Sequence, residues 1–188
     1  MNTKENETEG VATPELAEQS KNTMTEKQLV RAYKKGRRDF RGIIMRNAQL
    51  WCYDFSGADF SNADLRGSDL SGAVFSGASL EGADLSNTKC IDAIFDNANL
   101  QNADLSFADL DFANFENANL KKASLIGANA NAEFNHANLQ DANLVGAKVS
   151  NAHFGDANVV GVKLRIGDIK VFIGSMEWRG DWNGWHTR

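Results

Sequence analysis

SGADFSNADLRGSDL, residues 56–70, places a large apolar side chain at every fifth position, at Phe60, Leu65 and Leu70. A small residue, alanine or serine, stands two places before each of them. A strand alternates its faces every two residues and a helix turns every 3.6, so a period of five fits neither as a continuous element. We therefore expect each unit of five to be a short extended piece followed by a corner.

The same period continues through most of the chain. Large apolar residues recur from Phe40 to Leu125, and after Ala130 the series resumes one residue early, at Phe134, and runs to Leu164, which makes 26 units. In each unit the central residue and the residue two before it should face inward, and the residue between them outward. The other two residues are mostly Gly, Asn, Ser or Asp, which favour turns. A chain that turns the same way at every corner closes into a coil, and coils stack.

The spacing of the phenylalanines gives the length of one coil. Six of them occupy every fourth centre: Phe55, Phe75, Phe95, Phe115, Phe134 and Phe154. They lie 20, 20, 20, 19 and 20 residues apart, so four units make one coil and one side of the solenoid should carry a core ladder of stacked rings. The single interval of 19 indicates a one-residue deletion near Ala130. The repeats then predict about six coils of 20 residues.

The units ADLRG, GADLS, NANLQ and ADLSF resemble the A-(D/N)-L-x-x signature of the pentapeptide-repeat family. The resemblance covers residues 38–164 and implies a right-handed, four-sided parallel β-helix. The short unit at 128–131 departs from the pattern. The residues before the first repeat resemble the lead-in of some cyanobacterial members, and the shared residues are Leu29, Tyr33, Gly36, Arg38 and Phe40.

Four segments are expected along the chain. They are a disordered polar tail (1–24), an N-terminal capping helix (25–37), the β-helix (38–166) and a C-terminal cap or dimerisation segment (167–188). Thr25 and Gln28 have the spacing of a capping box, and Gly36 is a stop signal for the helix. Four basic residues follow at the end of this helix, and we interpret them as a solvated face, with a nucleic-acid patch as the alternative.

The C-terminal segment changes in character. Ile169, Val171 and Ile173 alternate as in a strand, and three tryptophans follow. We expect either a cap on the last coil or a homodimer interface, because an uncovered apolar edge strand pairs readily with another. The candidate dimer residues are Val171, Phe172, Trp178 and Trp182.

No pattern of residues points to catalysis. The three histidines fall at outward or tail positions, no cysteine–histidine spacing fits a zinc site, and no glycine-rich loop fits a phosphate. Cys90 is a unit centre and is expected to be an inert core thiol. We therefore expect a protein that is not an enzyme and uses no cofactor or metal. The sequence has no long apolar run and no evident secretory leader, which favours a cytoplasmic protein without membrane contact.

The charges are unevenly distributed. Residues 26–46 carry eight basic and two acidic residues, whereas residues 53–160 carry fifteen acidic and five basic ones. Three functions remain open: a protein-binding scaffold, an inert stabilising solenoid, and a DNA mimic acting on a type II topoisomerase, which the more distant resemblance to the quinolone-resistance branch implies. The net charge of −8 in residues 53–110 matches B-DNA over about 14 Å. The basic helix opposes such a field, so we favour a protein partner of unknown identity, without direct nucleic-acid contact.

Apolar residues at corner positions gather on two adjoining walls, the second and third of each coil. They are Ile91, Phe107, Phe112, Ile126 and Val145. Soluble proteins rarely expose a contiguous apolar patch without a use for it. We predict a partner-binding patch anchored by Phe107 and Phe112, in the way that aromatic residues commonly dominate interfaces. The alternative is that these side chains only cover corners or contact the N-terminal tail.

Overall fold

The computed structural model describes residues 22–165. Within this part of the chain, the helix α1 (Glu26–Lys34) precedes a stack of coils joined by isolated parallel bridges. The bridges run from Asp39–Asp59 to Asn143–Lys163, and each strand is reduced to its single bridging residue because a corner follows every three residues. The chain is therefore a β-helix with four units to a coil. No helix among these residues is long and apolar enough to cross a membrane.

One repeating set of backbone hydrogen bonds joins the coils. The N–H of Phe75 donates to the carbonyl of Ile94 in the next coil (2.7 Å), and the N–H of Ile94 donates back to the carbonyl of Ala73 (2.9 Å). The N–H of Ala78 donates to the carbonyl of Phe75 (2.9 Å) and closes the corner. These bonds repeat along every wall, so they provide hydrogen-bond partners for the backbone N–H and C=O groups that a short strand would otherwise leave unpaired.

The second residue of each corner has a left-handed backbone. Gly57 (φ +65°), Asn62 (φ +57°) and Asp92 (φ +56°) are typical examples. A turn with positive φ only at its second central residue is of type II, and it favours Gly or Asn there because most side chains clash. This preference explains the recurrent Gly, Asn and Asp of the corners.

We number the four walls from Phe40, and each edge takes the number of the wall that it follows. The first wall begins with the centres Phe40 and Phe60, the second with Met45 and Leu65, the third with Leu50 and Leu70, and the fourth carries the six phenylalanines. The second edge contains the residue pairs from Arg46–Asn47 to Val145–Gly146, and the third edge those from Trp51–Cys52 to Ser150–Asn151.

Aromatic rings form the core of the fourth wall. From Phe75 to Phe154 the buried rings stack with centroids 4.9 to 5.3 Å apart and interplanar angles of 4 to 7°. At the N-terminal end, Phe55 tilts by 33° from Phe75 and meets Tyr33 of α1 edge to face at 5.6 Å. The rings of the first wall at Phe40 and Phe60 also stack, at 5.2 Å, a second column that the spacing of the ladder did not reveal.

The helix α1 covers the first coil. Thr25 forms a capping box with Gln28: its hydroxyl accepts from the N–H of Gln28 (3.3 Å), and Oε1 of Gln28 accepts from the N–H of Thr25 (2.8 Å). Leu29 is fully buried, and the hydroxyl of Tyr33 donates to the carbonyl of Ser56 (2.9 Å). The guanidinium of Arg38 lies 3.9 Å from the centre of the Tyr33 ring, so at least one basic residue at this end packs against the lid.

Residues 22–24 correct the expected boundary of the tail. Thr23 forms a parallel bridge with Ile44, whose N–H donates to the carbonyl of Asn22 (3.0 Å), and Met24 packs against the core. These residues add a strand segment above the first coil on the second wall, where exposed backbone groups gain partners. The prediction that the disordered tail extends to residue 24 was wrong for these three residues. The structure does not describe residues 1–21.

The deletion shortens one corner of the third edge. Asn131 alone spans this corner, and the bridges from Asn114–Glu133 to Asn129–Lys148 are offset by 19 residues instead of 20. The side chain of Asn131 is held on both sides: Nδ2 donates to Oδ1 of Asn129 (2.9 Å), and Oδ1 accepts from the N–H of Asn151 (3.2 Å). The walls stay in register because a single residue is lost in a corner and not in a wall.

Candidate functional site

Phe107 and Phe112 project from the solenoid at neighbouring edges of one coil. Their exposed fractions are 63% and 70%. Phe107 has a φ of +59° and Phe112 a φ of +58°, so each bulky ring stands at the left-handed position of its turn. This conformation costs about 1–2 kcal/mol for a residue with a Cβ. Each of these two rings therefore combines high exposure with a strained backbone position.

The other residues of the predicted patch flank these rings and are half-buried. Ile126 and Val145 follow Phe107 along the second edge, where the N–H of Phe107 donates to the carbonyl of Ile126 (2.8 Å). Ile91 lies on the third edge, one coil before Phe112. The structure thus places the patch along two edges, with the third wall between them.

The third wall between the two rings is polar. Asp109 is the outward residue between Phe107 and Phe112, and its Oδ1 accepts from Nδ2 of Asn129 in the next coil (2.8 Å). Lys89 occupies the same position one coil earlier and bridges to Asp109 through the backbone. Three extended residues span about 10 Å, so the two aromatic anchors straddle a charged strip one wall wide.

Trp51 was absent from the predicted patch. This residue is 58% exposed and stands on the third edge, two coils before Ile91. The intervening coil has only Ser71 and Gly72 at that edge, and these small residues form the floor of a notch of about 640 Å³ that is open to solvent. The signal was available in the sequence, because Trp51 and Ile91 are 40 residues apart in the same column.

A second apolar pair lies on the fourth wall. Val74 and Ile94 are outward residues of successive coils joined by a parallel bridge, and the side chain of Ile94 is exposed. Both lie next to the third edge and extend the apolar surface around it. This pair was also absent from the predicted patch.

Acidic residues surround the solenoid. The second wall carries a column of Asp64, Asp84 and Asp104, and Arg66 contacts the first two at 2.7 and 3.3 Å. Arg46 also bonds Asp64 (2.6 Å). The side-chain bonds from Arg66 are the main reason that the pKa of Asp64 falls to about 2. Arginines therefore neutralise part of this column.

The two cysteines differ in their surroundings. Cys90 is fully buried in the third wall beside the hydroxyl of Thr88 (3.3 Å), and burial raises the pKa of its thiol to about 12. Cys52 is exposed and lines the notch next to Trp51. Cys90 is thus a packing residue, whereas Cys52 is accessible to reagents.

The histidines in the described part of the chain pair with single carboxylates. Nδ1 of His153 lies 2.7 Å from Oε1 of Glu133, and Nδ1 of His136 lies 4.0 Å from Oδ2 of Asp156. Among residues 22–165, no group of three or more His, Cys, Asp or Glu side chains has the geometry of a metal site. The candidate dimer residues Val171, Phe172, Trp178 and Trp182 lie outside the described residues.

Comparisons with known proteins identify the repeats. The family model for pentapeptide repeats matches residues 54–89, 98–131 and 132–165, in eight copies. No curated protein sequence matched significantly. Among solved structures, a pentapeptide repeat protein of the Arabidopsis thaliana thylakoid lumen is 31% identical over 66% of this chain and 74% of its own, with a TM-score of 0.47.

Two further solved structures are similar to the chain. A pentapeptide repeat protein from Nostoc PCC 7120 is 29% identical over 76% of this chain and 97% of its own (TM-score 0.46). QnrB1, a plasmid-mediated fluoroquinolone resistance protein, is 21% identical over 72% of this chain and 84% of its own (TM-score 0.38). Since the matched segments of the family model cover more than half of the 188 residues, the chain belongs to the pentapeptide repeat family.

Proposed function

We propose that this protein is a non-enzymatic scaffold that binds another protein through the third wall and its two bordering edges. Phe107 and Phe112 are the anchors. The observation that carries the proposal is that both rings are exposed at left-handed corner positions. Strained residues of this kind cluster at functional sites.

Large side chains are uncommon at the left-handed position of the corners. Where the second corner residue of the described coils has positive φ, it is Gly, Asn or Asp at most corners, and the exceptions are Cys52, Phe107, Phe112, Lys122 and His136. Three of the five lie on the second and third edges. Phe112 gains little from burial, since the residue is largely exposed to solvent. The fold therefore does not require a phenylalanine at position 112. A role as an anchor in a protein interface would account for it.

The alternative of DNA mimicry finds less support in the arrangement of charge. Seven of the ten acidic residues of 53–110 lie on the walls, and every wall carries at least one, for example Asp54 on the fourth, Asp59 on the first and Asp69 on the third. The other three stand at corners. The column on the second wall is partly neutralised by Arg46 and Arg66. Because these charges lie on different sides of the solenoid, the DNA-binding cleft of a topoisomerase would contact only part of the net charge of residues 53–110. We expect no inhibition of DNA gyrase supercoiling by the purified protein, and inhibition at low micromolar concentration would favour mimicry.

The scaffold proposal is tested with the double variant Phe107→Asn, Phe112→Asn. Asparagine suits the left-handed corner, so the circular dichroism spectrum should be retained. The matched control is Lys122→Asn, a change at an equivalent corner (φ +60°) on the first edge. Each tagged protein is expressed in the native host, cross-linked and purified, and the co-purifying proteins are quantified.

We expect the double variant to lose at least one protein that the wild type and the control both retain. If the double variant retains every partner while its spectrum is unchanged, the two rings are not the binding site. Homodimerisation through the C-terminal segment remains a separate prediction. Sedimentation of the full chain tests it, and a monomer at high concentration would rule it out.

A further inference from the structure

The notch on the third edge has a specific chemical character. Trp51 stands at one end and Ile91 at the other, with Ser71 and Gly72 as the floor. Two coil spacings separate Trp51 from Ile91, which is about 10 Å. This gap admits one extended side chain that lies against the indole. The notch is thus large enough to receive a single residue of a partner.

Two carboxylates line the same notch. Asp69 lies on the third wall, and Asp92 lies beside Ile91 at an exposed corner. Asp69 accepts a hydrogen bond from the N–H of Ser71 (3.0 Å), and hydrogen bonding to Ser71 holds the pKa of Asp69 below its ordinary value. Glu26 of α1 also reaches this end of the wall, where Oε1 accepts from the N–H of Gln49 (3.3 Å). The nearby cation is Lys89, which attracts Asp69 from the next coil.

An exposed indole beside carboxylates is suited to a cation on an apolar stem. A guanidinium stacks on the face of tryptophan and forms two parallel hydrogen bonds with a carboxylate, and its methylene stem packs on apolar surface. We propose that the notch between Trp51 and Ile91 binds an arginine side chain of the partner protein. The inference rests on the proposed scaffold function and assigns a chemical feature to the partner.

The position of the notch fits one continuous binding surface. Ile91 belongs to both the notch and the predicted patch, and Phe112 follows it on the same edge in the next coil. A partner segment that runs along the third edge would contact Phe112 with an apolar residue and insert an arginine two coils, or about 10 Å, away over Gly72. Apolar and charged contacts would then alternate along one line.

The proposal is tested by NMR on the full ¹⁵N-labelled chain. The probes are N-acetyl-arginine amide and N-acetyl-citrulline amide, which have similar shapes but differ in charge. The indole N–H resonance of Trp51 is assigned by its loss in Trp51→Phe. We expect saturable shifts of this resonance with the arginine probe and none with the citrulline probe.

Two matched variants test whether the arginine probe binds in the notch or is attracted only by the negative charge of the protein. Asp92→Asn should weaken binding of the arginine probe about ten-fold, since a charged hydrogen bond is lost. Asp141→Asn removes a carboxylate from an equivalent left-handed corner (φ +60°) on the first edge and should leave binding unchanged. Lys89→Gln should tighten binding, because it removes the neighbouring positive charge.

Equal shifts with both probes, no shift with either, or equal weakening by the two aspartate variants would overturn the proposal. Binding that occurs only in a chain carrying Arg179→Gln would also overturn it, because the occupant would then be the chain's own C-terminal segment. The test uses neither the partner nor a change at Phe107 or Phe112. Failure of probe binding and failure of partner capture are therefore separate results.

Discussion

The ring of Phe107 lies against the backbone of Gly127 in the next coil. A Cβ atom on Gly127 would come within 2.7 Å of Cε1 of Phe107, and Gly127 itself has a φ of +65°. The aromatic anchor is therefore positioned by a glycine twenty residues later, which couples the second edge of one coil to the next.

Gly127→Ala should displace the Phe107 ring as well as strain the corner. The matched control is Gly57→Ala, which has the same φ of +65° but meets nothing within 4 Å. We expect a loss of about 1–2 kcal/mol from backbone strain in both variants, with a further loss in Gly127→Ala. Chemical denaturation measures the difference. Equal losses would mean that the ring moves aside at no cost.

Phe112→Asn should stabilise the fold. The exchange relieves a bulky residue at positive φ and sacrifices little burial, so we expect a gain of about 1 kcal/mol in the free energy of unfolding. The reverse change, Asn97→Phe at an equivalent corner (φ +57°) on the fourth edge, should lose a similar amount. Thermal and urea unfolding test both. A destabilised Phe112→Asn would show that the ring packs against the fold, which removes the main support for its role as an anchor.

Phe95→Ala should destabilise the solenoid strongly. The ring is buried between Phe75 (5.3 Å) and Phe115 (4.9 Å), and its loss leaves a cavity in the middle of the column. We expect a loss of about 3–5 kcal/mol. The control Glu116→Ala changes an exposed corner of the fourth edge and should cost far less. Similar melting temperatures for the two variants would contradict the ladder as the source of stability.

The ion pairs of Asp64 with Arg66 and Arg46 predict that the stability of the fold depends on pH. Hydrogen bonds from Arg66 and Arg46 lower the pKa of Asp64 to about 2, below the value of about 3.9 in an unfolded chain. Its ionised form therefore stabilises the fold at neutral pH, and this contribution is lost as the pH falls from about 4 to about 2. We expect Asp64→Asn to lose about 1 kcal/mol at pH 7, a modest value because both arginines are half-exposed.

Denaturation of the wild type and Asp64→Asn at several pH values measures this contribution. The difference in the free energy of unfolding should shrink toward zero near pH 2. The double variant Arg46→Gln, Arg66→Gln should show the same pH-dependent loss of stability. A difference that is independent of pH would mean that the ion pairs add nothing to stability.

The architecture could be predicted because its information is local and repeated. The unit centres, such as Leu65 and Phe95, recur at the same interval of five residues, and the interval between phenylalanines gives the number of units in a coil. Thr25 and Gln28 likewise mark the start of α1 within four residues. Thr23 was misplaced because its partner, Ile44, lies in another coil, and nothing in the adjacent sequence indicates that pairing.

The candidate site was only partly predictable, because exposure depends on residues one coil away. Trp51 forms a notch with Ile91 only because Ser71 and Gly72 lie between them. The position of the Phe107 ring depends on Gly127, and the charge of the second wall depends on Arg46 across 18 residues from Asp64. Such features require the sequence to be compared column by column, at a spacing of 20, and not along the chain.

Site-specific photocrosslinking shows whether the side chain at position 112 contacts another protein in the cell. Phe112 is replaced by p-benzoylphenylalanine in the native host, and in a second strain Lys122 is replaced at the equivalent corner of the first edge. We predict a discrete covalent adduct with another protein from position 112 and none from position 122. No adduct at position 112, or the same adduct from both positions, would contradict the assignment of the third wall and its edges as the binding surface.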